Sequence, residues 1–266
     1  MTAIQSALPA IQAPIDFDGE IRDLVRESVS HPAVRHPYLS RFAAGTFGDP
    51  AAVLRQYAIE YSGYASWFPH YLRAVISRLP CQEHRDLLTR NLEEEQGQLD
   101  DDDCEALRAV GIPPQSVMGV PHPVLFRRFC YSLGITDDEL TQPTPAAAQW
   151  RSRFLQFLNG ATAAQAVGAL GLGTEHVVKP IYKQLLAGII GLGTLRRDEF
   201  VFFELHCLVD DQHQQDLLEI AKELARAPGG VEELRSGMRT ALQLRCEFWD
   251  HLYSTAMGAS SLANPA

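Results

Sequence analysis

Apolar residues recur at helical spacing along almost the whole chain, and no stretch shows the strict alternation of a half-buried strand. Residues 18–30 predict a first amphipathic helix that ends near His31-Pro32, and residues 37–44 a short one closed by Gly45. Asp49-Pro50 reads as a helix cap followed by proline at the first helical position. The helix it opens is expected to run to about residue 79 with a kink at Pro69. A second long helix is expected over residues 82–110, stopped by Gly111 and Pro113-Pro114. Shorter helices are expected at 123–133 and 146–158. A run of small residues at 161–173 leads into a helix carrying Glu175, which ends before a glycine-rich turn at 188–193. Helices over 197–226 and 231–257 complete the pattern. Neither an internal repeat nor an interdomain linker is visible. The expected architecture is a single all-α bundle over residues 17–257, with a loose arm at 1–16 and a frayed tail at 258–266.

One stretch carries most of the candidate chemistry. Phe202-Phe203-Glu204-Leu205-His206-Cys207-Leu208-Val209-Asp210-Asp211-Gln212-His213 places His206, Asp210 and His213 at i, i+4 and i+7. At about 3.6 residues per turn these fall on one helical stripe. Imidazole, carboxylate and imidazole on one stripe can converge on a metal in a bundle core. They can equally form a wet polar face. Two other segments offer inward carboxylates. Glu175 follows Leu170-Gly171-Leu172-Gly173-Thr174, where a charged group needs a partner. In Asn91-Leu92-Glu93-Glu94-Glu95, Glu95 shares a face with Leu88 and Leu92, with Glu94 the alternative.

Composition narrows the classes. The net charge of -10, from 33 acidic and 23 basic residues, argues against nucleic acid and anionic membrane as partners. No apolar run approaches the roughly 18 residues of a membrane span. Met1 to Phe17 lacks a basic segment and does not read as a signal peptide. Five scattered cysteines without a CxxC pair read as cytosolic thiols. The glycine-rich turn at 188–193 lacks phosphate-loop spacing.

With these motifs in place, the sequence resembles the heme-oxygenase-like diiron oxidases and oxygenases. The resemblance spans roughly residues 35–255 and rests on Asn91-Leu92-Glu93-Glu94-Glu95, Glu175, and the His206-x3-Asp210-x2-His213 helix. The string Val209-Asp210-Asp211-Gln212-His213 is similar to the alkene-forming fatty-acid decarboxylase branch. The resemblance implies a seven-helix heme-oxygenase-like bundle, cytoplasmic and compatible with a homodimer. It implies Glu95, Glu175, His206, Asp210 and His213 as ligands of Fe(II), two ions per chain, with O2 as co-substrate. The implied substrate is a small molecule such as an amino acid or fatty acid derivative in specialised biosynthesis.

One departure stands out. The family places a histidine three, seven or ten residues after the first Glu. Here those positions hold Gln98, Asp102 and Glu105. On a continuous helix all three share the face of Glu95, so Asp102 is the preferred oxygen-donor substitute, with Glu105 and Gln98 behind it. His70 on the preceding long helix could reach in instead, or one metal position is lost. Some family members add a Glu from that same helix, which makes Glu60 a further candidate; the decarboxylase branch would place Ser66 there. Lys179, one turn beyond Glu175, could orient a substrate acid, as could Arg127 or Arg128. Two rivals remain: a cofactor-independent enzyme on the same fold, and a non-catalytic binding bundle with a degraded metal site.

Overall fold

The computed structural model describes residues 16–208 and 211–262, without the side chains of 211, 212 and 259–262. The described chain is all-α, with no strand among these residues. Its helices are α1 (Phe17–Ser30), α2 (Pro37–Ala43), α3 (Pro50–Ala65), α4 (Phe68–Ile76), α5 (Gln82–Glu94), α6 (Asp101–Ala109) and α7 (His122–Ser132). There follow α8 (Asp137–Thr141), α9 (Pro145–Gly160), α10 (Ala163–Val167), α11 (His176–Leu192), α12 (Val201–Leu208), α13 (Asp211–Ala225) and α14 (Gly230–Leu262). Gly168–Glu175 is a π-helix joining α10 to α11.

The helix ends follow from local chemistry. The Asp49 carboxylate accepts from the Ala52 N–H at 3.0 Å, and Pro50 supplies a preset first turn for α3. Gly193 closes α11 in the left-handed conformation, so residues 188–192 are helical and the expected glycine-rich turn shrinks to its last residue. Likewise α14 continues through residues 258–262, beyond the expected end at 257.

Two expected long helices are broken, so there are more helical segments than seven. The first breaks at Ser66–Trp67, and Pro69 sits harmlessly in the opening turn of α4, where its missing N–H costs nothing. The second matters more. Residues 82–110 do not form one helix: α5 ends at Glu94, Gly97 adopts φ +91°, and α6 restarts at Asp101. Asp100 caps α6 by accepting from the Asp103 N–H at 2.8 Å, while the Asp103 carboxylate accepts from the Asp100 N–H at 3.2 Å.

The π-helix runs through the centre of the bundle and is buried at every position, with its main packing against α14. Small residues allow that approach. A methyl group at Gly168 would meet the Leu234 backbone, and one at Gly237 would meet that of Gln165. An aromatic spine fills the space beside it. The Tyr38 ring stacks on Trp249, Trp249 on Tyr57, Tyr57 on Tyr61, and Tyr64 on Trp150. No helix among the described residues is long and apolar enough to cross a membrane.

Candidate metal centre

Three described ligand-type side chains converge in the bundle interior. Glu95, His122 and His206 each offer one donor atom, and these atoms lie within 4.8 Å of one another. All three are buried, with 4%, 6% and 7% of their surface exposed. They come from three segments: the residue just after α5, the first residue of α7, and the last turn of α12.

The break in the expected long helix creates this meeting. At Gly97 the chain leaves the helical path, and the loop before α7 docks into the gap. The Gly119 N–H donates to the Gly97 carbonyl at 2.8 Å, and the His122 N–H to the Glu95 carbonyl at 3.0 Å. That backbone bond sets the His122 ring beside the Glu95 carboxylate, with Nδ1 3.0 Å from Oε1. Glycine is needed at 97 because φ is positive and because a methyl group there would lie 2.7 Å from the Val120 carbonyl carbon and oxygen.

His206 is oriented from its own helix. Its Nδ1 lies 2.7 Å from the Phe202 carbonyl, so Nδ1–H donates there and Nε2 keeps its lone pair for the interior. Burial, then the neighbouring His122, depresses its pKa to about 3. The imidazole is therefore neutral, as a metal ligand must be.

Glu175, at the end of the π-helix, completes the interior face with 3% exposure. Single-turn π segments inside helices commonly mark functional positions, because they shift side chains out of the α-helical phase. Here the Thr174 hydroxyl donates five residues back to the Ala169 carbonyl at 3.0 Å. Burial pushes the Glu175 carboxyl up to about 7, against the pull of His213 and His122. Glu95 behaves oppositely. Burial raises it, but His122, His206 and His213 together hold it below the usual carboxylate range. His213, at the start of α13, is 3% exposed and contacts the Glu94 carboxylate.

The donor set fits a metal on its own chemistry. Glu175 Oε1 is buried without a hydrogen-bond partner. Buried polar atoms left in this state are costly unless something else satisfies them. Two carboxylates and imidazoles are the mixed oxygen and nitrogen donors that suit iron.

The other sequence candidates are placed as follows. Asp102 and Gln98 are exposed, and so is Glu105. Once the helix breaks at Gly97, they no longer track the face of Glu95. His70 is exposed and packs its ring on Trp67 at 4.7 Å. Glu60 is buried but serves elsewhere, accepting from the Thr144 hydroxyl and lying 3.1 Å from His251 Nε2. It ties α3 to α9 and α14. Lys179 is half-buried on α11, and Arg127 and Arg128 are exposed. Asp210 lies outside the described residues.

His122 was missed in the sequence. It lies between two prolines, in Pro121-His122-Pro123, just before a helix expected to start at 123. The available signals were Gly97 inside a supposed helix and the Asp100-x-x-Asp103 capping pair, which together mark a stop and a restart.

The iron-containing redox enzymes as a family match residues 55–246. The chain belongs to that family. It is thus an iron-dependent oxidoreductase with a heme-oxygenase-like fold. Among curated proteins it is 25% identical over 197 residues to a 4-aminobenzoate synthase of Chlamydia muridarum, covering 73% of each chain. It is 26% identical over 167 residues to the 4-aminobenzoate synthase of Chlamydia trachomatis serovar D, covering 61% of this chain and 63% of that one. Two solved structures share the fold. A CADD-like protein of Nostoc punctiforme superposes with a TM-score of 0.71 at 15% identity, over 91% of this chain and 99% of that one. A TenA homolog of Pseudomonas syringae gives 0.67 at 14%, over 90% and 93%.

Proposed function

We propose that this iron-dependent oxidoreductase holds a two-iron centre and uses O2 to oxidise a small molecule in a biosynthetic reaction. Glu95, His122 and His206 hold one ion. Glu175 and His213 hold the second, joined by Asp210. The observation that carries this reading is the convergence of the Glu95, His122 and His206 donor atoms within 4.8 Å. It is supported by the burial of Glu175 against them with Oε1 unpartnered. In this arrangement His122 takes the place that sequence reasoning gave to Asp102.

Each residue has a separate role. The Phe202 carbonyl fixes the His206 tautomer, so that Nε2 faces the ion. The His122 backbone bond to Glu95 holds two ligands in one frame. Bound iron supplies redox chemistry with O2, which the protein groups alone cannot. Tyr61, Phe68, Tyr182 and Phe202 wall the cavity over these ligands. They give an apolar substrate a dry surface and exclude water from the iron. Among the described lining residues none is Lys or Arg, so Lys179, Arg127 and Arg128 are not supported as anchors inside it. The chlamydial relatives are 4-aminobenzoate synthases, which points to a small aromatic acid or its precursor as the substrate class. All five cysteines are free thiols, which favours the cytoplasm.

The test is anaerobic Fe(II) loading followed by metal analysis. About two irons per wild-type chain are expected, falling to one or none in His122→Ala and His206→Ala and unchanged in Asp102→Asn. Full stoichiometry in His122→Ala, with loss in Asp102→Asn, would restore the original assignment.

A further inference from the structure

Arg245 of α14 is 1% exposed, yet no carboxylate pairs with it among the described residues. Its Nε and Nη1 are buried without hydrogen-bond partners. A buried charge without a counter-ion is costly, and proteins rarely keep one without a use. The guanidinium lies 5.3 Å from the Trp150 ring centre and 5.8 Å from that of Tyr64, which offsets part of the cost. Its charge acts on the hydroxyls of Tyr64, Tyr61 and Tyr182 around it. Tyr61 in turn shares a 2.9 Å hydrogen bond with the Tyr182 hydroxyl. Both tyrosines line the cavity over Glu95, His122 and His206, whereas Arg245 is not among its lining residues.

Donor inventory and the nearby cation together set the polarity of this pair. Arginine has only donors, so it offers the phenols no lone pair. The two phenols bring two protons, and their mutual bond uses one. One O–H therefore remains. The cation behind it favours donation outward and disfavours the pair as an acceptor. Around this donor the cavity offers aromatic walls, among them Tyr64, Phe68 and Phe202.

We propose that the Tyr61–Tyr182 hydroxyl pair, backed by Arg245, is the hydrogen-bond donor that selects the substrate, a flat apolar or aromatic molecule bearing an acceptor oxygen. Arg245 acts as a positioning residue through the phenols and does not touch the substrate. This rests on the cavity being the substrate site proposed above.

Acetophenone and ethylbenzene share a ring and a two-carbon arm, and only the first carries an acceptor oxygen. Their affinities for the iron-loaded full chain are measured anaerobically by calorimetry, with iron content determined on the same samples. The wild type should bind acetophenone about threefold to tenfold more tightly than ethylbenzene, the effect of one hydrogen bond. That preference should vanish in the double variant Tyr61→Phe/Tyr182→Phe and shrink in Arg245→Met, while ethylbenzene affinity and iron content hold. An unchanged preference in these variants overturns the proposal. So does a parallel loss of both ligands, which marks a role in cavity shape alone, or failure of either probe to bind the wild type. If Arg245→Met does not fold, the double phenylalanine variant decides. Absence of iron from the wild type would instead refute the metal centre.

Discussion

Gly97→Ala should disable the metal centre from a residue that is not a ligand. An added methyl group would lie 2.7 Å from the carbonyl carbon and oxygen of Val120, where 3.4 Å is the lower end of ordinary contact. The Val120 nitrogen would be closer still, so the loop before α7 must back away by more than about 0.7 Å or the turn must unwind. Val120 lies two residues before His122, and the His122 N–H is bonded to the Glu95 carbonyl at 3.0 Å. Metal–ligand distances tolerate only about 0.2 Å. The positive φ of +91° adds roughly 1–2 kcal/mol of backbone strain for any residue with a side chain. A stability loss of at least about 2 kcal/mol is expected, with iron affinity reduced about tenfold to a hundredfold. Gly119→Ala is the control. Its φ is +72° but nothing lies within 4 Å of the added carbon, so it should cost strain alone, about 1–2 kcal/mol, and leave iron binding intact. Urea unfolding and anaerobic Fe(II) titration of both variants check this. Wild-type iron affinity in folded Gly97→Ala, or equal loss in Gly119→Ala, refutes the reasoning.

Other expectations concern residues away from the iron. Glu60→Ala strands Thr144 and His251, so it should lower stability by about 1–2 kcal/mol in urea melts while iron content stays unchanged. Gly237→Ala should destabilise by about 1–3 kcal/mol, because the methyl group collides with the Gln165 backbone. Gly258→Ala, also on α14 but in open space, should be neutral or slightly stabilising by thermal melt. Burial pushes half-buried Asp103 up to about 6. Its folded pKa lies above its unfolded one, so its protonation favours the fold, and that contribution fades as pH rises through 6. Asp103→Asn should therefore stabilise the metal-free protein at pH 8, by less than about 1 kcal/mol given the partial exposure, and have little effect below the ordinary carboxyl value of 3.8.

Much of the fold was legible because helical periodicity is strong in α1, α2, α7 and α9, and because Asp49-Pro50 marks the start of α3. Long helices were harder. Periodicity continues across a short break when the flanking segments stay amphipathic, so residues 82–110 read as one helix. That error carried through to the site, since the stripe from Glu95 to Asp102 exists only on an unbroken helix. Glu95, Glu175, His206 and His213 were visible as ionisable groups set among apolar neighbours. His122 was not, because its role comes from a loop docked across the chain at Gly97. The Tyr61, Tyr182 and Arg245 chain spans three helices that are distant in sequence, and no local pattern announces it.

The most direct test of the centre is anomalous diffraction at the iron edge from an iron-loaded crystal. An iron peak about 2.0–2.3 Å from Glu95, His122 Nδ1 and His206 Nε2 is the expected result, with a second peak beside Glu175 and His213. Iron bound by Asp102, with His122 turned away from it, would contradict the account.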